Sequence, residues 1–176
     1  MAPAHAISVL LEADLLAFNR AIGVARRRNL PIESVAVGPS QVPGMSRLTF
    51  IMQGDEANAD RLVKQLQKTF GVREAVMFPA DGAVVREVAL IKLRASRADR
   101  AALQRAVAEC GATLVDEGPE VCVVEILGST ARTDACIKAL ERFGILEIAR
   151  SGAIALRNAQ VSIPTSAPTN SSEAVL

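Results

Sequence analysis

The sequence predicts an α+β chain built from two tandem βαββαβ units, and three observations carry that reading. Strand-like and helix-like stretches alternate in the same order twice, across residues 5–78 and again across 86–157. Apolar residues step by two in the strand-like stretches and by three and four in the helical ones. Half of the 176 residues are hydrophobic, but there is no Trp or Tyr and there are five Phe. That aliphatic stock suits two thin layers of helix on sheet. The repeated order is the ferredoxin-like arrangement.

The first unit opens with Ala6–Glu12, where Ile7, Val9 and Leu11 alternate onto one face. In Asp14–Arg28 the residues Leu15, Phe18, Ile22 and Ala25 fall at helical spacing, which predicts one buried stripe. Its strand-to-helix loop is where such a unit can receive a small anion. Pro31–Val37 reads as a strand, followed by the turn signals Gly38-Pro39 and Pro43-Gly44. Met45–Gln53 is the next strand, with Leu48 and Phe50 on one face. Asp55 is placed to N-cap a helix running to Thr69, with Ala59, Leu62, Val63, Leu66 and Phe70 inward. Val72–Phe78 completes the unit as residues 1–78, and residues 79–85, opening on Pro79-Ala80-Asp81-Gly82, read as a linker.

In the second unit, residues 86–157, Arg86–Ala95 holds a strand in which Val88, Leu90 and Lys92 share a face. Ser96 and Asp99 form a capping-box pattern before a helix with Leu103, Ala106, Val107 and Cys110 inward, and Gly111 ends it. Ala112–Asp116 and Glu120–Leu127 are strands around Gly118-Pro119. Thr130 is placed to cap a fourth helix that buries Ile137 and Leu140, and Gly144–Ala149 and Ala153–Leu156 close the unit. Residues 158–176 are rich in Ser, Thr, Pro and Ala without periodicity, which predicts a disordered tail.

Composition narrows the function. Twenty basic and nineteen acidic residues leave a net charge of +1, no field to attract nucleic acid or anionic lipid. No run of eighteen apolar residues is present to span a membrane. The opening MAPAHA lacks the charge and apolar core of a signal peptide, so a cytoplasmic place is expected. Cys110, Cys122 and Cys136 are odd in number and form no CxxC pair, so they read as small buried hydrophobes. The one histidine, His5, starts the first strand, and no nucleophile, phosphate-loop or metal motif accompanies it. Asp55-Glu56 and Asp116-Glu117 fall in turns, where solvated charge is the ordinary role. Arg26-Arg27-Arg28 closes a helix, where cations favour the dipole by roughly 0.3–1 kcal/mol each. Base stacking of the RNA-binding kind needs paired aromatics on the central strands, and Phe50 stands alone. No catalytic residue, metal or cofactor of the chain's own is expected.

Longer motifs add a resemblance. H-x-I-S-V-L-x-E at 5–12, I-E-S-x-A-V-G-P at 32–39 and M-S-R-L-T at 45–49 are followed by K-Q-L-x-K at 64–68. R-E-x-A-L-I-K at 86–92 and F-G-I-L-E-I-A-R-S-G-x-I-A-L at 143–156 complete the set. Together they resemble the regulatory (small) subunit of acetohydroxyacid synthase, also called acetolactate synthase, an enzyme of branched-chain amino-acid biosynthesis. The resemblance implies an N-terminal ACT domain followed by a second ferredoxin-like domain, with no active site. It implies binding to, and activation of, the thiamine-diphosphate-dependent catalytic (large) subunit, and feedback inhibition by valine. It also implies a homodimer through side-by-side ACT domains. The amino-acid effector would lie between the first strand-to-helix loop of one chain and the start of the second strand of the other.

The effector positions depart from the family pattern. Where the family loop reads Asn-x-x-Gly, this chain has Ala13-Asp14-Leu15-Leu16, and the family's second Asn, before Ile32, is Pro31. Ala13 offers no amide, Leu16 puts a branched side chain where the backbone should be bare, and Pro31 removes a donor. Asp14 can cap the helix with the group a ligand carboxylate would need to displace. It would also repel that carboxylate by about 1 kcal/mol at 4 Å in water, and by roughly 4 at a surface-like dielectric. The expectation is an activator that answers weakly or not at all to valine. Two other readings stay open at this stage: a subunit of another thiamine-diphosphate enzyme, and a free-standing amino-acid sensor.

Overall fold

The computed structural model describes residues 4–27, 29–78, 82–96 and 99–159. The first unit runs β1 (Ala4–Glu12), α1 (Leu15–Arg27), β2 (Ile32–Pro39), β3 (Met45–Gln53), α2 (Glu56–Leu66) and β4 (Val72–Phe78). Its antiparallel sheet has the order β2-β3-β1-β4. The second unit runs β5 (Ala83–Arg94), α3 (Arg100–Glu109), β6 (Thr113–Glu117), β7 (Val121–Gly128), α4 (Thr130–Leu140), a 3₁₀ turn (Glu141–Phe143), β8 (Ile145–Arg150) and β9 (Ile154–Arg157). Its strands lie in the order β6-β7-β5-β8, and β9 pairs with the first residues of β5. Two βαββαβ units therefore stand in tandem, as the alternating pattern predicts.

In the first unit Ile7, Val9, Leu11, Leu48, Phe50 and Met52 face the helices and are buried with Ala59, Leu62 and Leu66 of α2. The α1 stripe differs from the predicted one. Leu15 is 72% exposed, and the buried residues are Ala17, Ala21, Val24 and Ala25, with Phe18 and Ile22 half-buried beside them. The small residues let α1 approach closely, so its largest apolar side chains fall at the margin or outside. Phe70 also departs from expectation. It is 75% exposed beyond the end of α2, and the Arg20 guanidinium lies 5.2 Å from its ring centroid. Asp55 caps α2 as expected, accepting the Asn58 N–H at 2.6 Å.

In the second unit Ala89, Ile91 and Leu93 of β5 and Cys122, Val124 and Ile126 of β7 pack on Leu103, Ala106 and Val107 of α3. Val88, Leu90 and Lys92 share the opposite face, as read from the alternation. The Asp99 N–H donates to Ser96 Oγ at 3.3 Å and the Ser96 hydroxyl donates to Asp99 at 2.5 Å, but Asp99 rather than Ser96 stands at the cap position of α3 and makes no side-chain cap hydrogen bond, so the expected reciprocal box is only half formed. The cap of α4 is Ser129 rather than Thr130. Ser129 Oγ accepts the Arg132 N–H, and α4 buries Thr133, Cys136 and Leu140, with Ile137 half-buried. β5 begins at Ala83, inside the stretch read as linker, because its first four residues pair with β9. The predicted turn at 79–81 and residues 160–176 of the predicted tail lie outside the described residues.

The two units share a seam. Ala6, Ile51 and Phe78 of the first sheet pack with Ala153 and Ala155, flanked by Val76, Ala83 and Val85. One hydrogen bond crosses the same seam, from the Ala153 N–H to Ser34 Oγ at 2.8 Å. Gly152 sits here at φ +73, and a Cβ on it would lie 3.1 Å from both Ser34 Oγ and the Val35 carbonyl oxygen. The turn is anchored from behind. The Ser151 N–H donates to the Val88 carbonyl and the Val88 N–H donates to Ser151 Oγ. Arg150 pairs with the buried Glu87 and, at 2.8 Å, with Asp134. Burial works against the Arg150 charge, but the hydrogen bonds and charges of Glu87 and Asp134 outweigh it and raise its pKa.

Two predictions follow from this packing. Gly152→Val combines a left-handed φ with a backbone clash, and is expected to destabilise the chain by about 1–3 kcal/mol. Ser34→Ala, which loses only the seam hydrogen bond, is expected to cost about 1 kcal/mol. Urea unfolding of the two variants beside the parent measures both. The cysteines give the second. Burial pushes Cys122 up, and burial followed by a hydrogen bond with Cys110 pushes Cys136 up to about 12. Both are buried away from a reagent at pH 8, whereas Cys110 is partly exposed. A disulfide reagent at that pH is expected to titrate Cys110 alone in the native chain and all three cysteines after unfolding.

Candidate functional site

β1 delivers its last residue, Glu12, to the loop that precedes α1. The register Glu12↔Met45 between β1 and β3 sets the β2–β3 turn beside that loop. The chain's own carbonyls then take its first donors. The Glu12 N–H donates to the Gly71 carbonyl at 2.8 Å, and the Ala13 N–H donates to the Gly44 carbonyl at 2.9 Å. Asp14 caps α1, its Oδ1 accepting the Ala17 N–H at 2.7 Å, and the Phe18 N–H closes the first helical turn on the Asp14 carbonyl. The N–H groups of Leu15 and Leu16 have no hydrogen-bond partner among the described residues. They stand beside the Asp14 carboxylate, and the Leu16 side chain above them is 65% exposed.

An incoming carboxylate at this helix N-terminus therefore meets two free donors, a resident negative charge and exposed isobutyl groups. Helix N-termini favour anions because their N–H groups and dipole point outward. Here Asp14 already supplies the anion. A shallow cleft of about 420 Å³ does adjoin Ala13, but its other walls are Val37, Val42 and the backbone of the β2–β3 turn. That turn was legible as Pro43-Gly44, but nothing local tied it to Ala13.

Pro31 and Ile32 lie elsewhere. They stand at the far end of α1, whose thirteen residues span about 20 Å. The Pro31 carbonyl accepts the Gln53 N–H at 3.0 Å, and Ile32 pairs with Met52, at the end of the sheet opposite the loop. Within one chain the six predicted site residues thus form two groups, Ala13–Leu16 and Pro31–Ile32, which α1 holds apart.

His5 has a structural contact, with its Nε2 3.0 Å from the Gly54 carbonyl. Phe50 is fully buried on the helix side of the sheet and has no free face for a base. No group of three or more His, Cys, Asp or Glu among the described residues is arranged to hold a metal ion. Among those residues no helix is long and apolar enough to cross a membrane.

Over residues 86–159 the chain matches a family model described as the small subunit of acetolactate synthase. It is 35% identical over 163 residues to the acetolactate synthase small subunit of Mycobacterium leprae, which covers 93% of this chain and 96% of that one. The probable acetolactate synthase small subunit of Methanothermobacter thermautotrophicus is 33% identical over 153 residues, 86% of this chain and 91% of its own. The crystal structure of the small subunit from Thermotoga maritima superposes with a TM-score of 0.83 at 28% identity, covering 90% of this chain and 99% of that one. With the same fold and this likeness along nearly its whole length, the chain belongs to the acetolactate synthase small subunit family.

Proposed function

We propose that this chain is the non-catalytic regulatory subunit that binds and activates the thiamine-diphosphate-dependent catalytic subunit of acetolactate synthase in the cytoplasm, with its valine response weakened or abolished. Likeness to the mycobacterial small subunit over nearly the whole of both chains supports the partner. One observation carries the valine reading. Asp14 already places a carboxylate at the start of α1 and accepts the Ala17 N–H, and the Gly44 carbonyl takes the Ala13 N–H, so a ligand carboxylate meets a resident negative charge and only the Leu15 and Leu16 donors.

The chain works as a homodimer in this reading, joined through residues 1–78. β2 is an edge of the first sheet, and Val35 and Val37 stand exposed on it, with Val37 at 53%. Such an edge is suited to a second copy. Side-by-side pairing brings Ala13, Asp14, Leu15 and Leu16 of one protomer toward Pro31 and Ile32 of its partner. That is the arrangement the 20 Å separation within one chain calls for.

Acetolactate formation by the cognate catalytic subunit, measured with and without this chain across a valine titration, tests both parts. The expected result is a several-fold rise in rate that valine does not reverse. A rise that micromolar valine fully reverses would overturn the effector reading, and no rise at all would overturn the partner. The loop can also be rebuilt. A13N/D14N/L16G keeps a side-chain cap at position 14, removes its charge and bares the backbone. This variant is expected to gain valine affinity by at least about tenfold, consistent with removing roughly 1–4 kcal/mol of repulsion. Titration calorimetry with valine reads the gain.

A further inference from the structure

The second unit holds a cleft of about 570 Å³ between the end of β5, α3 and the 3₁₀ turn. Three arginines from those three elements line it: Arg94, Arg105 and Arg142. Their convergence follows from the fold. Arg94 ends β5 between the buried Leu93 and Ala95, so its side chain points away from the core. The Arg94 N–H donates to the Gly144 carbonyl at 3.1 Å. Gly144 has φ +76, and a Cβ there would lie 3.2 Å from Arg94 Cδ, so the glycine lets the turn that carries Arg142 close against Arg94. On α3, Ala102, Arg105 and Glu109 follow at steps of three and four and share the face that lines the cleft. Arg142 stacks on Phe143, its guanidinium 4.8 Å from the ring centroid, which holds that charge in a fixed plane.

These guanidinium groups are unmatched. Arg100, Arg132 and Arg150 in the same unit all have hydrogen-bond partners, in carbonyls or carboxylates. Among the described residues, Arg94, Arg105 and Arg142 have no side-chain hydrogen bond and no carboxylate within 4.0 Å. The cleft does contain Asp99 and Glu109. Asp99 already accepts the Ser96 hydroxyl at 2.5 Å, and neither acid reaches an arginine. Three guanidinium charges and two carboxylates line the cleft, no arginine there is ion-paired, and the concavity is of the size that small-molecule sites have. The planar guanidinium fork fits phosphate and carboxylate oxygens in pairs.

We propose that this cleft binds a small, multiply charged anion, a di- or polyphosphate or a polycarboxylate, through Arg94, Arg105 and Arg142. The site is separate from the loop before α1, which lies in the other unit, and it does not depend on how that loop treats valine.

Titration calorimetry on the full chain at low salt, with inorganic pyrophosphate and separately with citrate, tests the proposal. The expected result is saturable binding of at least one probe, one per chain, with a dissociation constant below about 1 mM. Tighter pyrophosphate binding identifies a phosphate ligand, and tighter citrate binding a carboxylate one. The R105A/R142A variant is expected to bind at least about tenfold more weakly, since each lost charge-assisted hydrogen bond is worth at least that much. Both positions are exposed, so its unfolding midpoint should match the parent's. R157A removes an arginine on β9, outside the cleft, and should leave binding unchanged. The proposal is overturned by no saturable heat from either probe up to about 10 mM, by equal binding in R105A/R142A, or by equal loss in R157A.

Discussion

β1 is buried on both faces, and the rest of the first unit depends on that. Ile7, Val9 and Leu11 lie under the helices, as any strand in a two-layer unit requires. Ala6, Ser8 and Leu10 on the opposite face are also buried. That face would ordinarily meet water, because both helices are on the other side. At Ala6 the second unit covers it, with Ala153 and Ala155 against Ile51 and Phe78. The alanines matter because a two-stranded ribbon can lie this close to a sheet only with small side chains between them. Ser8, further along, is satisfied by Arg47, whose Nη1 donates to its hydroxyl at 2.9 Å. The strand that ends at the candidate effector loop is thereby fixed from above and below, and part of its packing comes from residues about 150 positions away.

The seam ties the longest sequence motif to another of the set. Ser34 belongs to the segment at 32–39, and Gly152 and Ala153 to the segment at 143–156, yet they meet through one hydrogen bond and one close backbone approach. A hydrogen bond of this kind contributes only about 1 kcal/mol. Its value is geometric, since it sets β2 against the β8–β9 turn. Behind that turn the Glu87–Arg150 pair is largely buried on the Glu87 side, and breaking such a pair would leave a charge without compensation.

Much of this was legible in the sequence, and the failures share a cause. Strands whose partners lie nearby, such as Met45–Gln53 and Val72–Phe78, have the bounds that alternation predicts. The first residues of β5 read as linker because their partner, β9, comes about seventy residues later. Leu15 and Phe70 fit their helical stripes by spacing, yet spacing cannot show that a helix ends before it reaches the core or lies too close to admit a large side chain. At the candidate site the Asp14 cap was readable, because capping is chemistry within four residues. The engagement of Ala13 by Gly44 was not, because it follows from sheet register rather than from local sequence. The cleft of arginines left no local mark either, since Arg94, Arg105 and Arg142 are separated by eleven and thirty-seven residues.

The two places where this fold can meet an anion are electrostatic opposites. At the start of α1 the positive element is a helix dipole of about half a charge, and a full carboxylate from Asp14 already sits against it. A second carboxylate brought there meets that resident charge as well as the two remaining donors, on Leu15 and Leu16. In the cleft beside α3 the positive element is three whole guanidinium charges, and the nearby acids do not reach them. There each charge carries its own hydrogen-bond donors, so an anion gains contacts and relieves repulsion at once. The local charge balance therefore differs between the two places: a resident carboxylate at the loop of the first unit, and guanidinium groups without ion-pair partners in the cleft of the second. The net charge of +1 for the whole chain conceals this contrast.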